Sequence, residues 1–284
     1  LDQDEQALQQ VLQSAKSQRV PTMTQLVDLI AINELLGTVE SSGDGKNANL
    51  VAQLETESLA AKAAEFKTTN NDDTIGWIRI PNTNVDYPVV YKAGVENYAY
   101  YESKGYDKQY SKDGVIWADY ECTFPELSQN TTLYGHNWHN IYTPRTQANM
   151  QANDLMFSLV MSYNYTDFAQ ENPFVYFSTT EQDYVFQVFA SYYTDLNFGY
   201  NYAQMSQEDF QKVIAEAKAK SLSNYNVPVT SEDKIVTLST CTRVHGNTNN
   251  QRFVVMAKLV PVGTPSTTIS THSNPIAYNS SIDA

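Results

Sequence analysis

The sequence predicts a mainly β chain, a closed or nearly closed barrel of eight strands preceded by a helical region. Eight short runs of β-branched and aromatic residues follow Ile75, most of them bounded by turn residues. Two helical stretches interrupt these runs, too few for an alternating α/β layout. The first 75 residues have a different texture, with helical periodicity and half of the net charge. Many short strands with few helices are the pattern of a closed barrel.

The elements follow in order. Residues 1–18 are rich in helix formers, and Leu8, Val11, Leu12 and Ala15 recur at helical spacing. Residues 24–36 repeat the pattern, with Thr22 or Thr24 as cap and Gly37 as stop. Residues 41–49 read as a loop and 50–67 as a third helix, so the region is expected to be a docked helical hairpin plus a linker helix. The strands are expected in GWIRI, VDYPVV, GVIWAD, TTLYGHN, FVYFST, YVFQVFASYYT, KIVTLSTCT and RFVVMAKLV. Residues 154–163 and 206–220 supply the interrupting helices. In the second, Ser206 is the cap, Asp209 holds the capping-box position, and Phe210, Val213, Ile214 and Ala217 line one face. After Val260 the chain is polar and is expected to be partly mobile unless tied down. The domain reading is therefore a helical region over 1–74, a catalytic barrel over 75–260 and a tail over 261–284.

Composition excludes several functions. The 284 residues carry 18 Lys+Arg against 32 Asp+Glu, a net charge of −14. A chain this acidic does not hold a phosphate backbone by bulk electrostatics, so no nucleic acid is expected as partner. No run of about 18 apolar residues occurs, so no spanning helix is predicted. Two cysteines cannot build a disulfide framework, though Cys122 and Cys241 could pair with each other. Phosphate-loop, dinucleotide, HExxH and CxxC motifs are absent.

The chemistry-bearing residues are few. Cys241 ends the run KIVTLST, where a strand should stop at a barrel rim, whereas Cys122 lies in the loop-like DYECTFPELS. His136 sits in LYGHNW, again where a strand meets a turn. A thiol needs a proton handler or a positive neighbour to react as thiolate, and a histidine supplies either. His136 and His139 also have an i, i+3 spacing open to a metal, but no acidic or cysteine cluster accompanies them. Acyl transfer needs a group to hold the oxyanion. Arg252 opens RFVVMAKLV, and Arg243 is its rival because it shares a strand face with Cys241.

The string TLSTC, followed after a loop by RFVV, closely resembles the active-site signature of sortases, and LYGHN resembles their histidine motif. GWIRIPNTNVDYPVV, GVENYAYY and GVIWADYEC resemble class B sortases in family order, and so does a helix between strands six and seven. The resemblance covers about residues 75–260 and implies a sortase-type eight-stranded barrel without cofactor or metal. It implies Cys241 as nucleophile, His136 as general acid/base and Arg252 as oxyanion or substrate stabiliser. It further implies substrate contacts from Ser239, Thr240, Asn97 and Tyr101, with the loop 196–201 walling the groove. Asp119 is expected to shape a turn rather than to complete a triad.

The implied activity is transpeptidation. A C-terminal sorting motif of a surface protein is cleaved, and the acyl fragment passes to a peptidoglycan amine. Joining of pilin subunits through a lysine is the alternative, and a catalytically idle binding module is a second. The Asp-Pro-aromatic lid motif of class C is absent, and the late position of the cysteine disfavours a papain-like protease. Placement on the outer face of the bacterial cytoplasmic membrane, through an anchor outside this sequence, is implied as well. The long N-terminal region, the polar 242–250 loop and the tail depart from the family pattern.

Overall fold

The computed structural model describes Ala52 and residues 57–273. The helices expected over 1–18 and 24–36 lie outside these residues. All eight expected runs form strands of one closed barrel. They are β1 (Thr74–Arg79), β2 (Asp86–Val90), β3 (Ile116–Ala118), β4 (Asn130–Tyr134), β5 (Phe174–Thr179), β6 (Val185–Asp195), β8 (Ile235–Cys241) and β9 (Gln251–Val260). Around the barrel the order is β1-β2-β3-β4-β8-β9-β6-β5. A further strand, β7 (Ser223–Tyr225), pairs with β10 (Ile269–Thr271) outside the barrel.

The core is dense in large side chains. Phe157, Phe177, Phe186, Phe189, Tyr192, Phe210 and Phe253 are all buried together with β-branched residues of β8 and β9. β6 is buried along its whole length. Packing of this kind, not backbone propensity alone, holds short strands in register.

The helices differ in part from expectation. Of the helix expected over 50–67, the described part is α1 (Leu59–Thr69), where Ser58 provides the cap and accepts from Ala61 N. Its Leu59 and Ala63 pack on Trp77, and Lys62 Nζ lies 4.2 Å over the same ring. Asp183 fastens this start, accepting from Ser58 Oγ at 2.7 Å and from Ala60 N at 2.9 Å. Residues 154–163 are not an α-helix. A 3-10 helix over Ser158–Asn164 and a short α2 (Thr166–Glu171) replace it. Six consecutive residues there, Ser158 to Tyr163, are buried, so no face remains for an amphipathic helix. The expected helix over 206–220 forms as α3 (Gln207–Lys220) with Phe210, Ile214 and Ala217 buried. Ser206 accepts from Asp209 N at 3.1 Å, and its hydroxyl also donates to the Asp209 carboxylate at 2.8 Å.

The described part of the tail is tied down. β10 satisfies the backbone of β7, and Gly263 N donates to Ala52 O at 2.7 Å while Ala52 N donates to Thr264 O at 2.8 Å. Backbone pairing therefore supplies what the polar side chains of this segment cannot.

Candidate active site

Strand direction gathers the site. β4 and β8 pair in parallel, Tyr134 opposite Ser239, so both strands end at the same rim. β9 runs antiparallel to β8 and begins there, with Arg252 opposite Cys241. β6 ends at that rim too, Thr194 opposite Arg252. β3 runs antiparallel to β4 and begins there, Trp117 opposite Tyr134. The connections 135–157, 196–206 and 242–250 therefore leave one rim, and the 91–115 connection arrives at it.

Cys241 is the last residue of β8 and is half-buried. Its register partner Arg252 projects on the same face. Arg252 Nη1 donates to Asn249 O at 2.8 Å and to Gln251 O at 2.9 Å. These bonds hold the guanidinium at the rim while leaving the other nitrogens for a ligand. Arg243 is engaged elsewhere, its guanidinium bonded to the Asn249 side chain and its backbone N to Ile141 O.

His136 reaches the same rim through a tightly packed glycine. A Cβ on Gly135 would stand 2.5 Å from Ile116 Cδ1 and 2.6 Å from Phe157 Cγ, so only glycine lets the chain pass there. Three bonds then splice this segment to the cysteine strand. Gly135 N donates to Ser239 O at 3.3 Å, Thr240 Oγ1 to Gly135 O at 2.7 Å, and Asn137 Nδ2 to Cys241 O at 3.3 Å. A cysteine, a histidine and an arginine thus converge where three strand ends meet. The model of the sortase domain family matches residues 78–260.

The chain belongs to the sortase family. It is similar to Sortase B of Staphylococcus aureus (strain NCTC 8325 / PS 47), 30% identical over 193 residues that cover 68% of this chain and 72% of the relative. Among solved structures it resembles a Staphylococcus aureus sortase B-substrate complex, with TM-score 0.60 and 27% identity over 73% of this chain and 88% of that one. It also resembles a sortase B complexed with triglycine, with TM-score 0.58 and 27% identity over 72% and 89% of the two chains. The fold and relatives agree on class B, and this sortase is a cysteine transpeptidase.

The remaining expected site residues of the sortase fall in different places. Asn97 lies on the 91–115 connection, its amide donating to Ala93 O at 2.7 Å. Tyr101 does not face a groove. It is 1% exposed, and its hydroxyl donates to the Asp73 carboxylate at 2.6 Å, anchoring the 91–115 connection at the start of β1. Ser239 and Thr240 are both 2% exposed. Ser239 Oγ shares a 2.8 Å hydrogen bond with Tyr200 OH, and Thr240 faces Gly135, so their side chains brace the strand end.

Sequence reasoning did not single out Asn137 or Tyr200. Asn137 is buried and links His136's segment to the Cys241 carbonyl; its place directly after His136 in LYGHN was the available signal. Tyr200 is close enough to Arg252 and Cys241 to feel both charges, and burial pushes its hydroxyl's pKa up. It sits in the 196–201 loop, which Asn130 clamps by donating to Tyr200 O at 2.8 Å. Asp119 shapes a turn as expected, accepting from Glu121 N at 2.9 Å and from Tyr134 OH at 2.7 Å. Burial pushes its carboxyl's pKa up.

Cys122 and Cys241 are both free thiols, so the disulfide left open by the sequence is absent. Cys122 is 2% exposed, and burial pushes its thiol up to about 12. Among the described residues no group of three or more His, Cys, Asp or Glu side chains could hold a metal ion.

Proposed function

We propose that this sortase anchors surface proteins, cleaving a sorting motif and joining the acyl fragment to an amine of the cell wall. The observation that carries the reading is the register pairing of Cys241 with Arg252 beside the end of His136's strand. Cys241 thiolate attacks the scissile carbonyl carbon. The oxyanion that forms is held by the Arg252 guanidinium. The C–N bond then breaks, and His136 as imidazolium gives its proton to the leaving amine. The incoming amine attacks the thioester carbonyl, His136 takes the proton released, and the thiolate departs.

The rim suits an extended peptide. Exposed Val95, Tyr98, Tyr142, Leu196 and Tyr202 stand on the connections that meet it. Asn97 lies on the same connection as Val95 and Tyr98. Among the relatives, one sortase B structure is a substrate complex and another holds triglycine, which favours a peptide donor and an oligoglycine-type acceptor here. Membrane tethering on the outer face of the cell follows from this role.

The test is incubation with a library of sorting-motif peptides followed by mass measurement of the acyl-enzyme, then resolution with triglycine or a lysine-bearing peptide. The expected result is an adduct on Cys241, absent in Cys241→Ala, that triglycine resolves faster than lysine. Preference for lysine would favour pilin joining. No adduct with any peptide would favour a binding module.

A further inference from the structure

The His136 ring is held on three sides. Its Nε2 lies 2.6 Å from Glu102 O, on the 91–115 connection. A carbonyl oxygen only accepts, so Nε2 carries a hydrogen and Nδ1 is the nitrogen that exchanges protons. Trp138 stacks on the ring, with centroids 4.8 Å apart and planes at 30°. Trp117 closes another side at 5.9 Å.

Trp138 has the marks of a fixed part. It is 43% exposed, so burial in the core does not explain its orientation. Its indole Nε1 donates to Lys112 O at 3.1 Å, and Lys112 Nζ lies 5.5 Å from its centroid. Gly114 keeps the opposite contact open. It has φ +59, and a Cβ there would stand 2.7 Å from Glu102 O and 3.1 Å from His136 Cδ2. Both anchors, Glu102 O and Lys112 O, belong to the connection that also bears Asn97.

We propose that Trp138 is a positioning residue that, with the Glu102 carbonyl, clamps the His136 imidazole so that Nδ1 faces the reacting centre. Because both anchors lie on the 91–115 connection, a peptide that settles on that connection settles the histidine as well. This inference rests on the transpeptidase reading above.

The experiment compares Trp138→Ala and Trp138→Phe with wild type in peptide transfer over a pH series. Nitrogen-detected NMR of His136 runs alongside, and thermal melting checks the fold. Misplacing a general acid/base by about an ångström costs up to roughly 100-fold. Trp138→Ala is expected to lose about 10- to 100-fold in kcat with KM within about twofold. Trp138→Phe keeps a stacking face and should recover most of kcat. NMR should show the Nε2–H tautomer in wild type and a mixture in Trp138→Ala. The proposal is overturned if Trp138→Ala keeps kcat, if the loss is in KM alone, or if wild type shows the Nδ1–H tautomer. If wild type forms no acyl-enzyme with any peptide, the transpeptidase reading fails first. The tautomer and its response to Trp138→Ala still decide the clamp.

Discussion

Alkylation should separate the two thiols, and burial sets the scale. With its thiol pushed up to about 12, Cys122 has a thiolate fraction of about 10⁻⁴ at about pH 8. An ordinary thiol, at about 8.5, has about a quarter of its population as thiolate at that pH. The deficit is roughly 2,000-fold before access is considered, and a side chain 2% exposed adds a steric barrier. A more basic thiolate is also the stronger nucleophile, but with a slope near one half that gain recovers less than the fraction loses. The assay is brief iodoacetamide treatment near about pH 8, with peptide mapping by mass. Wild type should carry label on Cys241, Cys241→Ala should stay unlabelled over the same time, and guanidinium-unfolded chain should label at both. Labelling of Cys122 in the folded protein within about tenfold of the Cys241 rate would refute the burial argument and the choice of nucleophile.

Other consequences follow from the same geometry. Because the native state keeps the Cys122 proton that an unfolded chain releases above about 8.5, stability should fall with rising pH at about 1.4 kcal/mol per unit. Cys122→Ala should remove that slope below about pH 10, where buried tyrosines begin to add their own; an unchanged slope in denaturant melts would count against it. Arg252→Ala should reduce peptide transfer by about 100-fold or more, whereas Arg243→Ala should stay within a few-fold. Equal losses would exchange their roles. Asp119→Ala should cost about 1–3 kcal/mol through the lost acceptors of Glu121 N and Tyr134 OH, with transfer reduced less than about tenfold. A loss of about 100-fold or more at unchanged stability would make it part of the acid–base machinery.

The sequence alone determined the barrel and the chemical cast. Eight runs of alternating and β-branched residues fall within residues of the eight barrel strands, because local propensity and burial agree there. The motifs around Cys241, His136 and Arg252 named the reacting groups because strand ends and tight turns need residues that stand out, such as Gly135 with no room for a Cβ. Helix type over 154–171 was not legible, since a fully buried apolar stretch carries no periodicity to read. Nor was the docking of the tail, which depends on backbone pairing between β7 and β10.

Only the tertiary structure decided what each side chain faces. Tyr101 stands four residues after Asn97 in sequence, yet its hydroxyl is spent on Asp73 at the start of β1. Ser239 and Thr240 lie beside the nucleophile in sequence, yet they face Tyr200 and Gly135. Cys122 and Cys241 are the same residue type, and desolvation of one and rim exposure of the other divide their chemistry. A protein's sequence fixes residue types along a line, but proton affinity and reach depend on neighbours brought in from 100 or so positions away, as Asn137 is to Cys241.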